Sequence, residues 1–340
     1  MHPPLRRLQV FRIKKTIPMK ASPILSIIIP VYNAERYIEG TVGCVLDRHR
    51  GDDYEVILVN DGSADRSGEL CDGLSVKYPC VSVYHQTNKG AAAARNTGLK
   101  YACGKYVTFI DADDKIAENT YETNIEFLEL HPEVGVLQYP FIQDYGSSKE
   151  SLNESPTGYS STYEELLVDT FSCRFSHSVC DKIFRRDIIS SLRFREGAIC
   201  EDILFGLSTI GQHPVVYYSD RGMYYYYYVD NSVSRKAYSP ERWSAWLGAL
   251  VKKYRMGDGC SAVDPYRGKN FLSIMYVYCH LLKSLGARRS DEFDGAVAAC
   301  LPKWSAISRS QGVSVMKRGV LYIISLLGTR RFANLYNLLR

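Results

Sequence analysis

The sequence predicts an α/β fold with a mainly parallel sheet, and three observations support this prediction. Between residues 25 and 114, four short apolar stretches rich in β-branched and aromatic residues alternate with stretches of helical apolar spacing. This alternation is typical of a parallel sheet flanked by helices. Each strand also ends in a polar loop, and such loops open at one edge of the sheet. The last hundred residues show only helical spacing, which predicts a helical appendage.

Four strands and three helices account for the first part of the chain. The predicted strands are Ser26–Asn33, Tyr54–Val59, Val81–His85 and Tyr106–Ile110. The first predicted helix is Ala34–Leu46, and the third is an alanine-rich helix after Asn88. The second contains Leu70 and Leu74, and either Ser63 or Asp65 is expected to cap it. The last strand is apolar almost throughout, which indicates burial on both faces of the sheet.

The part of the chain after residue 130 has a weaker pattern. A strand is predicted at Val134–Tyr139, a tyrosine-rich strand at Val215–Val229, and helices from Pro240 onward. The segment 143–162 is rich in Ser, Gly, Asn and Glu, and we expect it to be a flexible excursion on the surface.

Three carboxylates follow the buried strand at residues 106–110. Asp111, Asp113 and Asp114 lie within four positions of each other, and charges this close repel unless a cation or a proton relieves them. Carboxylates are ligands that Mg²⁺ accepts, so the stretch predicts a metal site at the edge of the sheet. The alternative is an acidic turn in which Asp114 caps a helix from Ile116 to Leu130.

Charge is distributed unevenly along a chain of otherwise ordinary globular composition. Residues 1–20 carry six basic residues and residues 301–340 carry seven, and neither segment contains an acidic residue. Long apolar side chains accompany the C-terminal arginines, which favours an anionic membrane surface over nucleic acid as a partner. A terminal helix packed on the protein is the alternative. No apolar run approaches the ~20 residues that span a bilayer.

Ten cysteines are spread along the chain without a CxxC pair or a zinc-like spacing. We therefore expect reduced thiols and a cytoplasmic location, peripheral to the inner face of the cytoplasmic membrane if the tail binds lipid. The basic N-terminus lacks the apolar core of a secretory signal, and Met19 is a second candidate start.

Seven motifs in order resemble the glycosyltransferase family 2 enzymes, which have the GT-A fold and invert the anomeric centre. They cover about residues 26–235: SIIIPVYNAERYI (26–38), VILVNDGSADRS (56–67), NKGAAAARNTGL (88–99), YVTFIDADD (106–114), CDKIFRRD (180–187), LRFREGAICEDILF (192–205) and YYYYYVDNSVS (224–234). The resemblance implies a metal-dependent transfer of a sugar from a nucleoside diphosphate to a hydroxyl of a glycan or lipid-linked acceptor, with Mg²⁺ or Mn²⁺ as cofactor.

The resemblance also assigns roles to particular residues. Those expected to hold the nucleotide are Pro30, Tyr32, Glu35, Asp61, Lys89, Arg95 and Asp111. Asp111 and Asp113 match the DxD motif and are expected to hold the metal, whereas Asp202 is expected to be the general base, oriented by Glu201. Arg95 serves equally well as one half of a buried ion pair. The loop after the tyrosines, with Arg235 or Lys236, is expected to close over the diphosphate.

Three domains follow from this reading. Residues 1–22 are predicted to be a disordered basic arm, residues 23–238 the GT-A domain with a nucleotide half (23–130) and an acceptor half (131–238), and residues 239–340 a helical region. A nucleotide-sugar-binding protein without activity remains the alternative function. The chain lacks the GxGxxG of a Rossmann dehydrogenase, and Asp114-Lys115 after the DxD do not fit a haloacid-dehalogenase-type phosphatase.

Overall fold

The computed structural model describes residues 11–12, 22–47, 53–144, 150–153, 156–227, 239–285 and 291–338. The chain divides into two compact units, which are described separately. The first unit contains residues 1–159, 178–197 and 214–232, and the second contains residues 160–177, 198–213 and 233–340.

Thirteen strands occur in the described residues. They are β1 (Phe11–Arg12), β2 (Leu25–Val31), β3 (Tyr54–Asp61), β4 (Val81–Gln86), β5 (Tyr106–Phe109), β6 (Lys115–Ile116), β7 (Val134–Gln138), β8 (Phe141–Asp144), β9 (Glu150–Asn153), β10 (Gly158–Ser160), β11 (Lys182–Arg185), β12 (Val215–Tyr218) and β13 (Tyr224–Tyr227).

Thirteen α-helices occur in the same residues. They are α1 (Ile38–Leu46), α2 (Ser67–Lys77), α3 (Ala91–Tyr101), α4 (Thr120–Leu130), α5 (Tyr163–Ser172), α6 (Arg186–Ile189), α7 (Glu201–Ile210), α8 (Pro240–Met256), α9 (Asp264–Leu285), α10 (Asp291–Ala298), α11 (Trp304–Ser308), α12 (Val315–Leu327) and α13 (Thr329–Leu338).

The main sheet has the strand order β1-β4-β3-β2-β5-β11-β7-β12-β10. β2 pairs in parallel with β3 and β5, and β3 pairs in parallel with β4. β11 is antiparallel to both of its neighbours, so the sheet is mixed but mainly parallel, as the sequence predicts. A smaller sheet has the order β6-β13-β8-β9.

The central strands are buried because helices cover the parallel part of the sheet on both faces. Leu25 and Ile27–Ile29 of β2 are fully buried, as is Val107 of β5. Helix α3 lies very close to β2 at Gly98, where an added Cβ would be 2.3 Å from Cγ2 of Ile28. Glycine at this position therefore sets the distance between the helix and the sheet.

Predicted helix starts differ from the structure in three places. Helix α1 begins at Ile38 instead of Ala34. Arg66 precedes α2, and neither Ser63 nor Asp65 occupies its cap position. The prediction that Asp114 caps a helix beginning at Ile116 is wrong, because Ile116 belongs to β6 and α4 begins at Thr120 after Asn119.

Two predicted segments near the smaller sheet also need correction. The expected surface excursion at 143–162 contains the end of β8, all of β9, which pairs antiparallel with β8, and β10. Residues 145–149 and 154–155 of it lie outside the described residues. The expected single strand 215–229 is two strands in different sheets. Gly222 separates them at φ +78°, and a Cβ there would be 2.6 Å from Thr120.

Within the predicted N-terminal arm (1–22), the structure describes Phe11, Arg12 and Ser22. Phe11 and Arg12 pair with β4 as the short strand β1, so this part of the arm is ordered against the sheet. The rest of residues 1–21 lies outside the described residues.

The second unit is helical in its described residues and contains α5 and α7–α13, with a short 3₁₀ helix at Ser261–Val263. Its core surrounds α9, ten of whose residues are buried. Segments 160–177 and 198–213, expected in the acceptor half, group here with the C-terminal helices. The functional division of the chain into halves stays a prediction.

All ten cysteines are free thiols, and four of them are fully buried. Within the described part of the chain, no helix has the length and the apolar character needed to cross a membrane.

The contact between α3 and β2 yields a test of stability. We expect Gly98→Ala to destabilise the protein by about 1–3 kcal/mol, because the added methyl group overlaps Ile28 in a packed core. Gly73→Ala in α2 is the matched control, since nothing lies within 4 Å of its added Cβ and alanine favours a helix by up to about 1 kcal/mol. Chemical denaturation of both variants measures the difference. Equal stability would contradict the close approach.

Candidate functional site

The candidate site lies at the carboxyl ends of β2 and β5, where the order of the strands reverses. From β2 the chain proceeds outward to β3 and β4, and it then returns to place β5 on the other side of β2. In open α/β sheets a crevice forms at this reversal, and ligands bind there. Tyr32 follows β2 directly, and 54% of its surface is exposed. An aromatic face is therefore available at the edge of the crevice.

Side chains join the loop after β2 to the loop after β3. The Asn33 Oδ1 accepts from the backbone N–H of Ala64 at 2.8 Å, and the Asn33 N–H donates to Ser63 Oγ at 3.1 Å. Glu35 accepts from the backbone of Arg66 through Oε2 at 3.1 Å. These contacts fix the loop after β2, which carries Tyr32 and Glu35. One role of the Glu35 carboxylate is therefore to bind the loop after β3.

Asp61 holds the loop that leads into α3. Its side chain is almost fully buried, and its Oδ1 accepts from Gln86 Nε2 at 2.7 Å and from the backbone N–H of Lys89 at 2.9 Å. Its Oδ2 accepts from the N–H of Gly90 at 2.7 Å. Asp61 thus does more than the simple turn residue that precedes Gly62, because it binds the side chain at the end of β4 and two backbone groups of the next loop.

The start of α3 faces the same edge of the sheet. Gly90 precedes the helix at φ +89°, a conformation that glycine adopts without strain. The first N–H groups of a helix lack partners within the helix and favour an anion near them. Lys89 has an exposed side chain just before this helix end, whereas its backbone N–H is bound by Asp61.

Arg95 lies on α3 and forms a buried ion pair with Asp111. Its Nη2 is 2.8 Å from Asp111 Oδ1, and the two side chains are 4% and 32% exposed. The guanidinium also lies over the ring of Phe194 at 5.4 Å from the centroid. Two roles were expected for Arg95, nucleotide binding and a buried ion pair. The structure shows the ion pair, and nucleotide binding stays a prediction. Asp111 is held in place by this contact, and its side chain stays partly exposed.

Asp114 is a buried support for the loop. Its Oδ2 accepts from the Tyr224 hydroxyl at 2.6 Å, and its Oδ1 accepts from the Tyr227 backbone N–H at 2.9 Å. The same Tyr224 hydroxyl accepts from the N–H of Asp111 at 3.2 Å. Thr41 of α1 donates to the carbonyl oxygens on either side of Asp113, at Ala112 and Asp114. The loop is therefore fixed from two directions.

Burial and like charge act on the acids that follow β5. Burial raises the pKa of Asp113 to about 6, and the charge of Asp111 adds to the rise. Burial and Asp111 also raise the pKa of Asp114 to about 8, although hydrogen bonds from Tyr224 and Tyr227 oppose this change. Both pKa values are raised because burial, and then the charge of Asp111, disfavours the ionised carboxylate.

The residues at this edge suit a hard divalent cation held mainly by its substrate. Asp111 and Asp113 offer two carboxylates, and in the described residues no group of three or more His, Cys, Asp or Glu forms a complete ligand set. Mg²⁺ in phosphate-transferring sites is often held by one or two carboxylates, with phosphate and water oxygens completing its shell. The two neighbouring carboxylates and the small donor set therefore fit such an ion.

Glu201 and Asp202 lie in the second unit, in the first turn of α7. Cys200 precedes the helix in a left-handed conformation at φ +67°, and the two acids are favourably placed near the positive end of the helix dipole. Both side chains are partly exposed. Their predicted roles as base and orienting residue stay predictions, and Arg235 and Lys236 lie outside the described residues.

Three contributors to the site were not expected from the sequence. Thr41, Gln86 and Tyr224 each bind a loop residue through a side chain that is distant in the chain; Tyr224 is 113 positions from Asp111. The run of tyrosines at 224–228 was a visible signal, but alternation alone did not identify the buried hydroxyl. Of its members, Tyr224 is buried and Tyr225–Tyr227 are partly exposed.

Comparison with known proteins gives consistent results. The family model of Glycosyl transferase family 2 matches residues 26–192. The glycosyltransferase YibD of Escherichia coli is 32% identical over 225 residues, and the glycosyltransferase EpsJ of Bacillus subtilis is 34% identical over 226 residues. Each match covers 64% of this chain, and the chain spans only 65% of the length of either relative.

Solved structures share the fold. The structure of S. aureus TarS 1-349 in complex with UDP-GlcNAc matches with a TM-score of 0.67 at 19% identity, covering 91% of this chain and 89% of that one. At this identity the similarity establishes the GT-A fold, in agreement with the fold class predicted from the sequence.

The support of the acidic loop by Tyr224 can be tested directly. We expect Tyr224→Phe to lower the free energy of unfolding by about 1–3 kcal/mol, because it leaves a buried N–H and a buried carboxylate without their partner. Tyr225→Phe, the next residue on the same strand, is the matched control because it is partly exposed. Urea denaturation provides the measurement. A larger loss in the Tyr225 variant would remove Tyr224 from this role.

Proposed function

The chain belongs to glycosyltransferase family 2 through residues 26–192, and on this premise we propose that it transfers a sugar from a nucleoside diphosphate donor to a hydroxyl group. The donor is a UDP-sugar, the acceptor is a glycan or lipid-linked sugar of cell-surface polysaccharide synthesis, and the anomeric centre is inverted. The single observation that carries the proposal is the Asp111–Asp113 pair at the reversal of strand order, held by Arg95 and Tyr224.

The donor end of the proposal rests on the loops around the crevice. The exposed ring of Tyr32 is suited to stack on a base, with Pro30 and Glu35 on the same chain segment. Asp61 keeps the loop of Lys89 in place, and the Lys89 ammonium and the start of α3 favour the negative diphosphate. That the related fold of TarS 1-349 binds UDP-GlcNAc supports the choice of a uridine nucleotide.

Asp111 and Asp113 would hold Mg²⁺ or Mn²⁺ with the diphosphate, and the ion would neutralise the charge that develops on the leaving group. Arg95 contributes by fixing Asp111, so that this carboxylate does not need to reorganise when the donor binds. Asp114 stays outside this set, because both of its oxygens are hydrogen-bonded within the protein.

The acceptor step requires one base and no covalent intermediate. The acceptor hydroxyl attacks the anomeric carbon, its proton passes to the carboxylate of Asp202, and the bond to the diphosphate oxygen breaks with the electron pair leaving on the nucleotide. Glu201 orients the base or the acceptor. A location on the inner face of the cytoplasmic membrane, where a lipid-linked acceptor resides, belongs to the same proposal.

The proposal predicts separate effects for the base and the metal ligands. With Mn²⁺ and a panel of UDP-sugars, we expect one donor to be consumed with release of UDP, and Asp202→Asn to lower the rate by about 10²–10⁴ without weakening donor binding. Asp113→Asn should weaken donor binding itself, as should EDTA. Coupled UDP release and thermal shift measure the two quantities.

The exposed residue Asp220 supplies the control, since Asp220→Asn makes the same chemical change on the surface of the first unit. Transfer at the original rate in Asp202→Asn would remove this residue as the base. A donor that stabilises the protein but is never consumed with any acceptor would favour the alternative of a binding protein without activity.

A further inference from the structure

Exposed apolar side chains are concentrated near the C-terminus of the second unit. Among the described residues, fifteen large hydrophobic side chains are exposed, and nine of them lie between Trp304 and Leu338. Scattered exposed hydrophobic residues are normal, but a contiguous patch indicates a binding surface. The patch is centred on α12.

One face of α12 is apolar and exposed along its whole length. Its members, which define the apolar face of α12, are Val315 (84% exposed), Met316 (77%), Tyr322 (47%), Ile323 (45%), Leu326 (66%) and Leu327 (37%). At about 100° per residue these positions cover an arc of roughly 140° that contains no charged residue. Leu321 and Ile324, on the other side of the helix, are fully buried and hold α12 against the unit.

An aromatic pair lies at the border of this face. Trp304 of α11 and Tyr322 contact each other in a T-shaped arrangement with 5.2 Å between ring centroids. Trp304 is 53% exposed. Tryptophan and tyrosine are enriched where an apolar phase meets water, since each has a large apolar ring and one polar group.

The charge of the segment indicates the nature of the partner. Residues 301–340 contain seven basic residues and no acidic one. Lys317 is exposed in the first turn of α12, where the helix dipole disfavours positive charge, whereas Arg318 is partly buried and donates to the Ser310 carbonyl oxygen at 3.1 Å. Exposed Lys303 precedes Trp304, and exposed Arg331 follows on α13. The exposed side chains of Lys303, Lys317 and Arg331 are available for an anionic surface.

We propose that the apolar face of α12, together with Trp304, inserts into the surface of an anionic lipid bilayer. The helix then lies in the plane of the membrane, with its apolar arc in the acyl boundary and the basic residues of the segment near the lipid headgroups. A second copy of the chain is disfavoured as the occupant, because a symmetric contact brings two acid-free basic segments together. Nucleic acid is disfavoured because the exposed arc is apolar.

This inference deepens the proposed function. It rests on that function in one respect only, namely that the bilayer which α12 binds would also carry the lipid-linked acceptor. Binding to the bilayer itself depends on α12 and not on the residues after β5. It can therefore be tested without donor, metal or acceptor, and its failure would leave the proposed transfer reaction untouched.

The test measures sedimentation of the full chain with vesicles of equal parts phosphatidylglycerol and phosphatidylcholine. We expect binding that weakens in high salt and is much weaker with phosphatidylcholine alone. Met316→Glu with Leu326→Glu should reduce the affinity by about tenfold or more, since it places two charges in the apolar face. The emission of Trp304 should shift to the blue on binding, and this shift should be absent in Trp304→Phe.

Val76→Glu with Leu130→Glu is the matched control. It replaces two side chains of similar exposure, 72% and 78%, and makes the same change in charge on the first unit. We expect this variant to bind vesicles like the original protein, and circular dichroism shows that both variants are folded. Equal loss in both variants, equal binding to neutral vesicles, or absence of vesicle binding would each overturn the proposal. A dimer in solution that only the α12 variant dissociates, with vesicle binding unchanged, would assign the face to a second copy instead.

Discussion

The crowding of negative charge after β5 is the constraint around which the first unit is built. Three aspartates within four positions repel one another, and the structure treats them in different ways. Asp111 has the guanidinium of Arg95, whereas Asp114 has the hydroxyl of Tyr224 and a backbone N–H. Among the described contacts Asp113 has no guanidinium or hydroxyl partner, and burial raises its pKa to about 6 although its own backbone N–H opposes the rise. This difference separates the groups that build the loop from the group that a cation would complete.

The loops around the crevice depend on side-chain to backbone hydrogen bonds instead of regular structure. Asn33 and Glu35 bind the backbone after β3, and Asp61 binds the backbone after β4. Each loop is thereby linked to the next one across the edge of the sheet. A rigid edge of this kind holds binding groups in position before a ligand arrives, which reduces the ordering that binding requires.

The stability of the second unit depends on burying the apolar faces of its helices. Helix α9 is surrounded and supplies ten buried residues to the core. Helix α12 buries Leu321 and Ile324, packs Val320 partly against the core, and leaves six apolar side chains on its other face exposed. The basic, acid-free tail in the sequence indicated a surface for an anionic membrane. A terminal helix packed on the protein was an equal alternative. In the structure α12 packs on the unit through Leu321 and Ile324, and binding of its exposed face to a membrane stays a proposal.

The sequence by itself determined the existence and order of the strands β2–β5, the helical C-terminal region and the position of the acids, because these depend on local periodicity and on neighbours a few residues apart. Tertiary structure decided which partner each polar group has. Arg95 meets Asp111 across 16 positions, and Tyr224 meets Asp114 across 110. It also decided that residues 215–227 form two strands in two sheets and that Asp114 supports a loop instead of capping a helix. Such choices depend on which segments the fold brings together, and no local pattern encodes the distance between side chains that are far apart in the chain.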